Sequence, residues 1–156
     1  GIYNAPSDSA ISGPTYSNQA DPLIFKNGNT SSFSVFSYAG ALQSLSFEVA
    51  NEVIYRELVG GTKSIDVVNR APSGECVVEA TTIATHDFFS DATGSSTGNL
   101  TFQHGSTGGN IVTFTAGQID LGGPSYNDAD GIQMLTLPYI ATPTSAGNNE
   151  FSLVYT

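Results

Sequence analysis

The chain is short of cysteine, of tryptophan and of positive charge, and each shortage closes off a class of function. Cys76 is the only cysteine. No internal disulfide can form, and the paired thiols of CxxC metal and redox motifs are excluded. Cys76 lies in the apolar run Cys76-Val77-Val78, where a thiol is expected to act as a small core hydrophobe. Tryptophan is absent, which counts against a sugar-stacking platform. Four bases (Lys26, Arg56, Lys63, Arg70) stand against fourteen acids, for a formal net charge of −10. Phosphate neutralisation needs clustered Lys and Arg, and these four form no cluster. An acidic surface repels DNA, and it also serves plain solubility. No apolar run approaches the roughly 20 residues of a membrane-spanning helix. The opening Gly1-Ile2-Tyr3-Asn4 has neither the basic nor the apolar region of an intact signal peptide. Without an initiator Met, it reads as a processed chain or as a piece of a longer one.

What remains is a β-rich composition. Charged residues are 12% of the chain, about half the usual fraction, and Gly, Ser, Thr and Asn take their place. Nine Phe and seven Tyr argue against disorder. At 156 residues the chain is long enough for one sizeable core.

The chain divides into two parts. Residues 1–30 carry Pro6, Gly13, Pro14 and Pro22 among Ser, Asn and Asp, and read as an extended arm. Their apolar anchors are Ile2, Ile11 and the triplet Leu23-Ile24-Phe25. Residues 31–156 read as a β-sandwich domain. Leu45, Phe47 and Val49 alternate with Ser44, Ser46 and Glu48, the period-two pattern of a half-buried strand. Val53–Leu58, Ile65–Val68 and Cys76–Ala80 follow, and the spacing predicts an antiparallel meander over 42–80. Thr85–Ala92 is the helix candidate, with Thr85 as N-cap, Asp87 in the first turn and Gly94 at its end. Further strands are expected at Leu100–Phe102, Ile111–Thr115, Gln118–Leu121, Ile132–Leu137 and Phe151–Tyr155. The expected core comprises Leu45, Phe47, Val49, Ile65, Val67, Cys76 and Val78, with Leu100, Phe102 and Phe114; Phe88 or Phe89 docks the helix. The fold class is therefore all-β, a sandwich or partial barrel with one short flanking helix.

Residues able to carry chemistry are few. His86 adjoins Asp87, but sequence neighbours rarely form a base–orienter pair, and no Gly-x-Ser-x-Gly elbow exists. Glu75 and Glu79 share a strand face, an arrangement weighed against the paired carboxylates of a glycosidase, and a solvated strand face accounts for them. Asn127-Asp128-Ala129-Asp130-Gly131 resembles part of a calcium loop, but Tyr126 and Leu137 stand where acids are required, so a turn is expected. Gly105-Ser106-Thr107-Gly108-Gly109 lacks the Lys of a phosphate cradle. Asn29-Thr30-Ser31 and Asn99-Leu100-Thr101 match the glycosylation sequon, which matters only in a eukaryotic secretory protein. No catalytic, metal or cofactor residue is assigned, and a non-enzymatic protein is expected.

Several segments in a consistent order carry a resemblance: Gln19–Gly28, the stretch SLSFEVANEVIYRELVGG over Ser44–Gly61, Val67–Gly74, Val78-Glu79-Ala80 leading into His86-Asp87-Phe88-Phe89, and Asp130–Pro138. Together they resemble the tail tube proteins of long-tailed bacteriophages, over about residues 15–156. The resemblance implies a β-sandwich with a flanking helix. It implies rings of six copies stacked into a hollow tube, with strands joined edge to edge around the lumen. It further implies a tape-measure protein as partner, transient passage of genomic DNA without specific binding, and residence in the virion after assembly in the bacterial cytoplasm.

Under that reading the lumen acids are expected among Glu48, Glu52, Glu57, Asp66, Glu75 and Glu79, on or beside the meander strands. Leu23, Ile24 and Phe25 are expected to anchor the arm on a neighbouring subunit. Residues 1–30 could reach roughly 100 Å if fully extended. A carbohydrate-binding or adhesin-like sandwich, or a capsid decoration or fibre subunit, stands as the alternative.

Overall fold

The computed structural model describes residues 22–61 and 63–156. The part of the arm comprising residues 1–21, with its anchors Ile2 and Ile11, lies outside the described residues. The fold is all-β with one short helix. Its strands are β1 (Thr30–Val35), β2 (Leu42–Glu48), β3 (Asn51–Arg56), β4 (Ser64–Arg70) and β5 (Ser73–Glu79), followed by helix α1 (Phe88–Thr93). Then come β6 (Thr97–His104), β7 (Val112–Leu121), β8 (Ser125–Ala129), β9 (Ile132–Ala141) and β10 (Ser152–Tyr155).

Two ten-residue strands, β7 and β9, hold the body together. On one side β7 pairs with β6, which in turn pairs with β1. On its other side β7 pairs first with β10, over Val112–Thr115, and then with β9, over Ile119–Leu121. Strand β9 pairs with β5 on one side and with β8 on the other, and β5 carries β2. The result is two four-stranded walls, β1-β6-β7-β10 and β2-β5-β9-β8, joined where β7 meets β9. All pairings are antiparallel.

The walls close over an apolar core because their strands alternate. Cys76, Val78, Leu135, Leu137, Tyr139 and Phe114 are buried, as are Leu100 and Ile119. Phe47 on β2 crosses to the opposite wall, with its ring 4.7 Å from those of both Phe114 and Phe151. The Tyr139 hydroxyl reaches from β9 over Gly74 on β5 and donates to the Ser46 carbonyl on β2 at 2.7 Å. Any side chain at Gly74 would collide with that carbonyl and that hydroxyl.

The helix is shorter than the sequence implies. Asp87, not Thr85, is its N-cap, and accepts from the Ser90 amide at 3.0 Å. Thr85 instead closes a turn with Thr82. Both helix phenylalanines dock it: Phe88 is buried edge-on against Tyr38, and Phe89 packs on Tyr126. Gly117 does not end a strand, so the two segments expected at 111–115 and 118–121 form the single strand β7.

The expected meander over 42–80 is replaced by one long hairpin. β2 pairs with β5, and β3 pairs with β4 in a separate two-stranded sheet. Glu48 opposite Ser73 and Asn51 opposite Arg70 keep one register across the break. The break itself is Val49-Ala50 facing Ala71-Pro72, with Ala50 in the left-handed region at φ 49°. Beyond it, β3 and β4 leave the body as an arm. Ile65 and Val67, expected in the core, are therefore 54% and 59% exposed. Alternation is visible in sequence, but whether a second layer covers the apolar face is not. Leu45, Phe47 and Phe102 pack against the core and are half-buried, whereas Val49, expected there too, is half-buried at the break and outside the core cluster.

Candidate functional site

Strand geometry sorts the six acids singled out from sequence into two groups. Directly opposed residues of a ladder share a face, as do residues two apart along a strand. Glu48 opposes Ser73, and Ser46 opposes Glu75. Glu48, Glu75 and Glu79 therefore stand together on the outer face of the β2-β5-β9-β8 wall, and all three are exposed. Their neighbours on this face are Ser44, Ser46, Thr136 and Pro138, together with two buried apolar residues, Val77 between Glu75 and Glu79 and Met134 opposite Glu79. None of the four bases lies on these strands: Arg56 and Arg70 belong to β3 and β4, Lys63 to their connecting loop, and Lys26 to the segment before β1.

Glu52, Glu57 and Asp66 are on the arm. Glu57 accepts from Lys63 at 2.8 Å and from the Tyr55 hydroxyl at 2.7 Å. Lys63 first and Tyr55 second hold its carboxyl below the usual range. Asp66 lies 3.6 Å from Arg56 and accepts from the Ser64 hydroxyl at 3.0 Å. Three acids and three bases over residues 51–70 leave the arm formally neutral, while the rest of the chain carries eleven acids and one base.

The arm has two unlike faces. Val53 opposes Val67 and Tyr55 opposes Ile65, which makes one face apolar. Ile54, Arg56, Asp66 and Ser64 make up the other. Both faces are largely open: among the described residues, eight of the seventeen exposed large apolar side chains belong to the arm. Its tip is the turn Leu58-Val59-Gly60-Gly61, closed by the Gly61 amide donating to the Leu58 carbonyl at 3.0 Å. Gly60 takes φ +79° there, as the third position of a type II turn requires. Sequence reasoning missed this arm. The available signal was local charge balance, since residues 51–70 hold three bases and three acids in an otherwise strongly acidic chain.

The anchor triplet divides. Phe25 stacks on Phe102 and on His104 of its own chain, at 5.7 and 6.2 Å. Leu23 is half-buried, and Ile24 is 74% exposed. His104 fixes this segment: its Nε2 donates to the Leu23 carbonyl at 3.2 Å, which leaves Nδ1 to accept from the Thr30 hydroxyl at 3.0 Å. Phe25 thus packs in part on its own chain and remains 47% exposed.

The remaining motifs resolve into local structure. His86 Nε2 meets Asp91, not Asp87, at 2.8 Å, and its ring packs on Tyr38 and Phe88. Asp130 and Gly131, at φ 55° and 85°, form the two-residue turn between β8 and β9, and Asp128 accepts from the Gly131 amide at 3.1 Å. That is the type I′ geometry of a tight hairpin. Among the described residues, no three His, Cys, Asp or Glu side chains gather as a metal site. The Cys76 thiol is pushed up to about 12, first by burial and then by Glu75. No model of a known family matches the chain, and a search of curated proteins found no relative.

Proposed function

We propose that this protein is a structural subunit that assembles with copies of itself into rings and stacked tubes, as the tail tube subunits it resembles do. The observation that carries this reading is the β3–β4 arm, an amphipathic hairpin whose apolar face stands largely exposed among the described residues. An isolated two-stranded hairpin is marginal in water, and a large exposed apolar patch marks an interaction surface. A neutral arm on an acidic body favours a second copy as partner, because the arm escapes the repulsion that keeps two bodies apart.

The β2-β5-β9-β8 wall supports a closed ring. Its outer strands, β2 and β8, each pair on one side only among the described residues. The four strands alternate in direction, so β8 of one copy meets β2 of the next antiparallel. The regular part of β2, Ser44–Glu48, is five residues long, as is β8. Ring closure removes both edges, which would otherwise invite uncontrolled pairing. In such a ring the face bearing Glu48, Glu75 and Glu79 lines the bore, and a wall of acids without bases lets nucleic acid pass without adsorbing.

Negative-stain electron microscopy of the purified full chain tests the proposal. Rings or tubes with an open centre are expected. A chain that stays monomeric at every concentration and salt tested overturns it.

A further inference from the structure

A cleft of 660 Å³ opens where the two walls fail to meet. Strand β1 is the last strand of one wall and β2 the last of the other, and the cleft runs between these two edges, to which no further strand is added among the described residues. Phe25, Phe33 and Leu42 give it an apolar side, and Lys26, Ser31 and Gln43 are among its polar lining. A second hollow, lined by Phe25, Gln43, Ser44, Leu45 and Phe102, shares Phe25 and Gln43 with it. Both edges are irregular at this place: β1 bulges between Ser31 and Ser34, and β2 between Leu42 and Ser44. Bulges blunt an edge against simple strand addition, so the cleft favours a compact apolar plug over an added strand.

The chain also carries such a plug. Val59 at the arm tip is 109% exposed, the most exposed large apolar side chain among the described residues, and Leu58 beside it is exposed as well. Plug and cleft lie at opposite ends of the same strand. The arm departs from the Glu48 end of β2, and the cleft borders the Leu42–Gln43 end, roughly 20 Å away at about 3.3 Å per residue. The tip of one copy therefore points away from its own cleft and toward that of another. Contacts between two different patches of identical subunits propagate head to tail.

We infer that the tip Leu58-Val59 of one copy seats in the cleft between β1 and β2 of the next, and that this contact sets the head-to-tail order of the assembly. The inference rests on the self-assembly proposed above and names the receiving surface. It leaves Ser46–Glu48 free for lateral pairing, since the second hollow reaches only as far as Ser44 and Leu45 on β2. Phe25, pinned over Phe102 by the His104 contacts, forms one side of the socket, which gives the segment before β1 a role in receiving the plug.

The test uses the full chain with two cysteines added, Val59→Cys and Gln43→Cys, assembled under reducing conditions and then mildly oxidised. The buried Cys76 stays silent. A ladder of covalent oligomers is expected from the double variant, and nothing beyond a dimer from either single variant. Separately, Val59→Asp is expected to raise the concentration needed for assembly at least tenfold without changing the denaturation midpoint. Assemblies of the double variant that give no ladder overturn the docking while leaving self-assembly standing, as does an unchanged threshold for Val59→Asp. A disulfide within one chain overturns it too. If residues 1–21 fill the cleft instead, Ile11→Cys will cross-link to Gln43→Cys and Val59→Cys will not, which also overturns it. A wild-type chain that never assembles defeats both readings.

Discussion

Arg70, the last residue of β4, donates from Nε and Nη2 to one carboxylate oxygen of Glu150, at 2.9 and 2.8 Å. Nη2 also donates to the Asn148 side-chain oxygen at 2.6 Å. The root of the arm is thus tied to the segment leading into β10, eighty residues further along the chain.

This latch predicts an acid transition confined to the arm. The Glu150 carboxyl is held below its ordinary range, first by a backbone amide and then by Arg70, against the opposing effect of burial. A depressed carboxylate contributes stability that is present above its unfolded value, about 4.3, and is lost as pH falls through the folded one. Amide NMR signals of β3 and β4 should therefore shift as the pH drops below about 4, with the body unchanged. Glu150→Gln should show the loosened pattern at neutral pH and lose the transition at the root of the arm around Arg70, while the amides near the Glu57–Lys63 pair at the tip still titrate. A variant that titrates like the wild type would refute the latch.

The second prediction separates body from arm by stability. Phe47 is half-buried and packs on two rings, so Phe47→Ala should cost about 2–4 kcal/mol in denaturant melts. Ile65→Ala, on the open face of the arm, should stay within about 0.5 kcal/mol for the dissociated chain and yet weaken assembly. Equal costs in the dissociated chain would mean that the arm packs on its own body.

A third prediction concerns the acidic wall. Glu75→Lys with Glu79→Lys replaces two adjacent charges on the face proposed to line the bore. Assemblies of the variant should look unchanged, retain DNA at low salt, and release it as the Debye length shrinks below its value of about 8 Å at physiological ionic strength. Wild-type assemblies should retain none at any salt. Variant tubes that bundle side by side without holding DNA would place these residues on the outside.

The all-β class and most strands were legible in the sequence because period-two alternation reports the strand directly. Leu45, Phe47, Cys76, Val78, Leu100 and Phe114 all face the interior as the alternation requires. The same signal misled at Ile65 and Val67, since an apolar strand face looks alike whether a second wall or a second molecule covers it. Strands β1 and β8 were hidden for another reason. Their sequences, TSSFSV and SYNDA, hold too few large apolar residues to alternate, and pairing with β6 and β9 forms them. Of the six acids, the face shared by Glu75 and Glu79 followed from spacing alone. Separating Glu48 from Glu52 required the break at Val49-Ala50, which a left-handed alanine conceals from any pattern of residue types.

The shared register of β2–β5 and β3–β4 also decides how the molecule bears load. Tension applied at the arm pulls β2 and β5 in the same direction, along their own axes. The body resists through the ladder between β5 and β9, which runs unbroken from Ser73 opposite Ile140 to Glu79 opposite Met134. Its hydrogen bonds lie across the pull and are strained together in shear, whereas peeling would break them one after another. In the proposed assembly, a chain held by its arm is for that reason loaded along its strongest direction, and Val49-Ala50 facing Ala71-Pro72 is where the ladder between arm and body is interrupted.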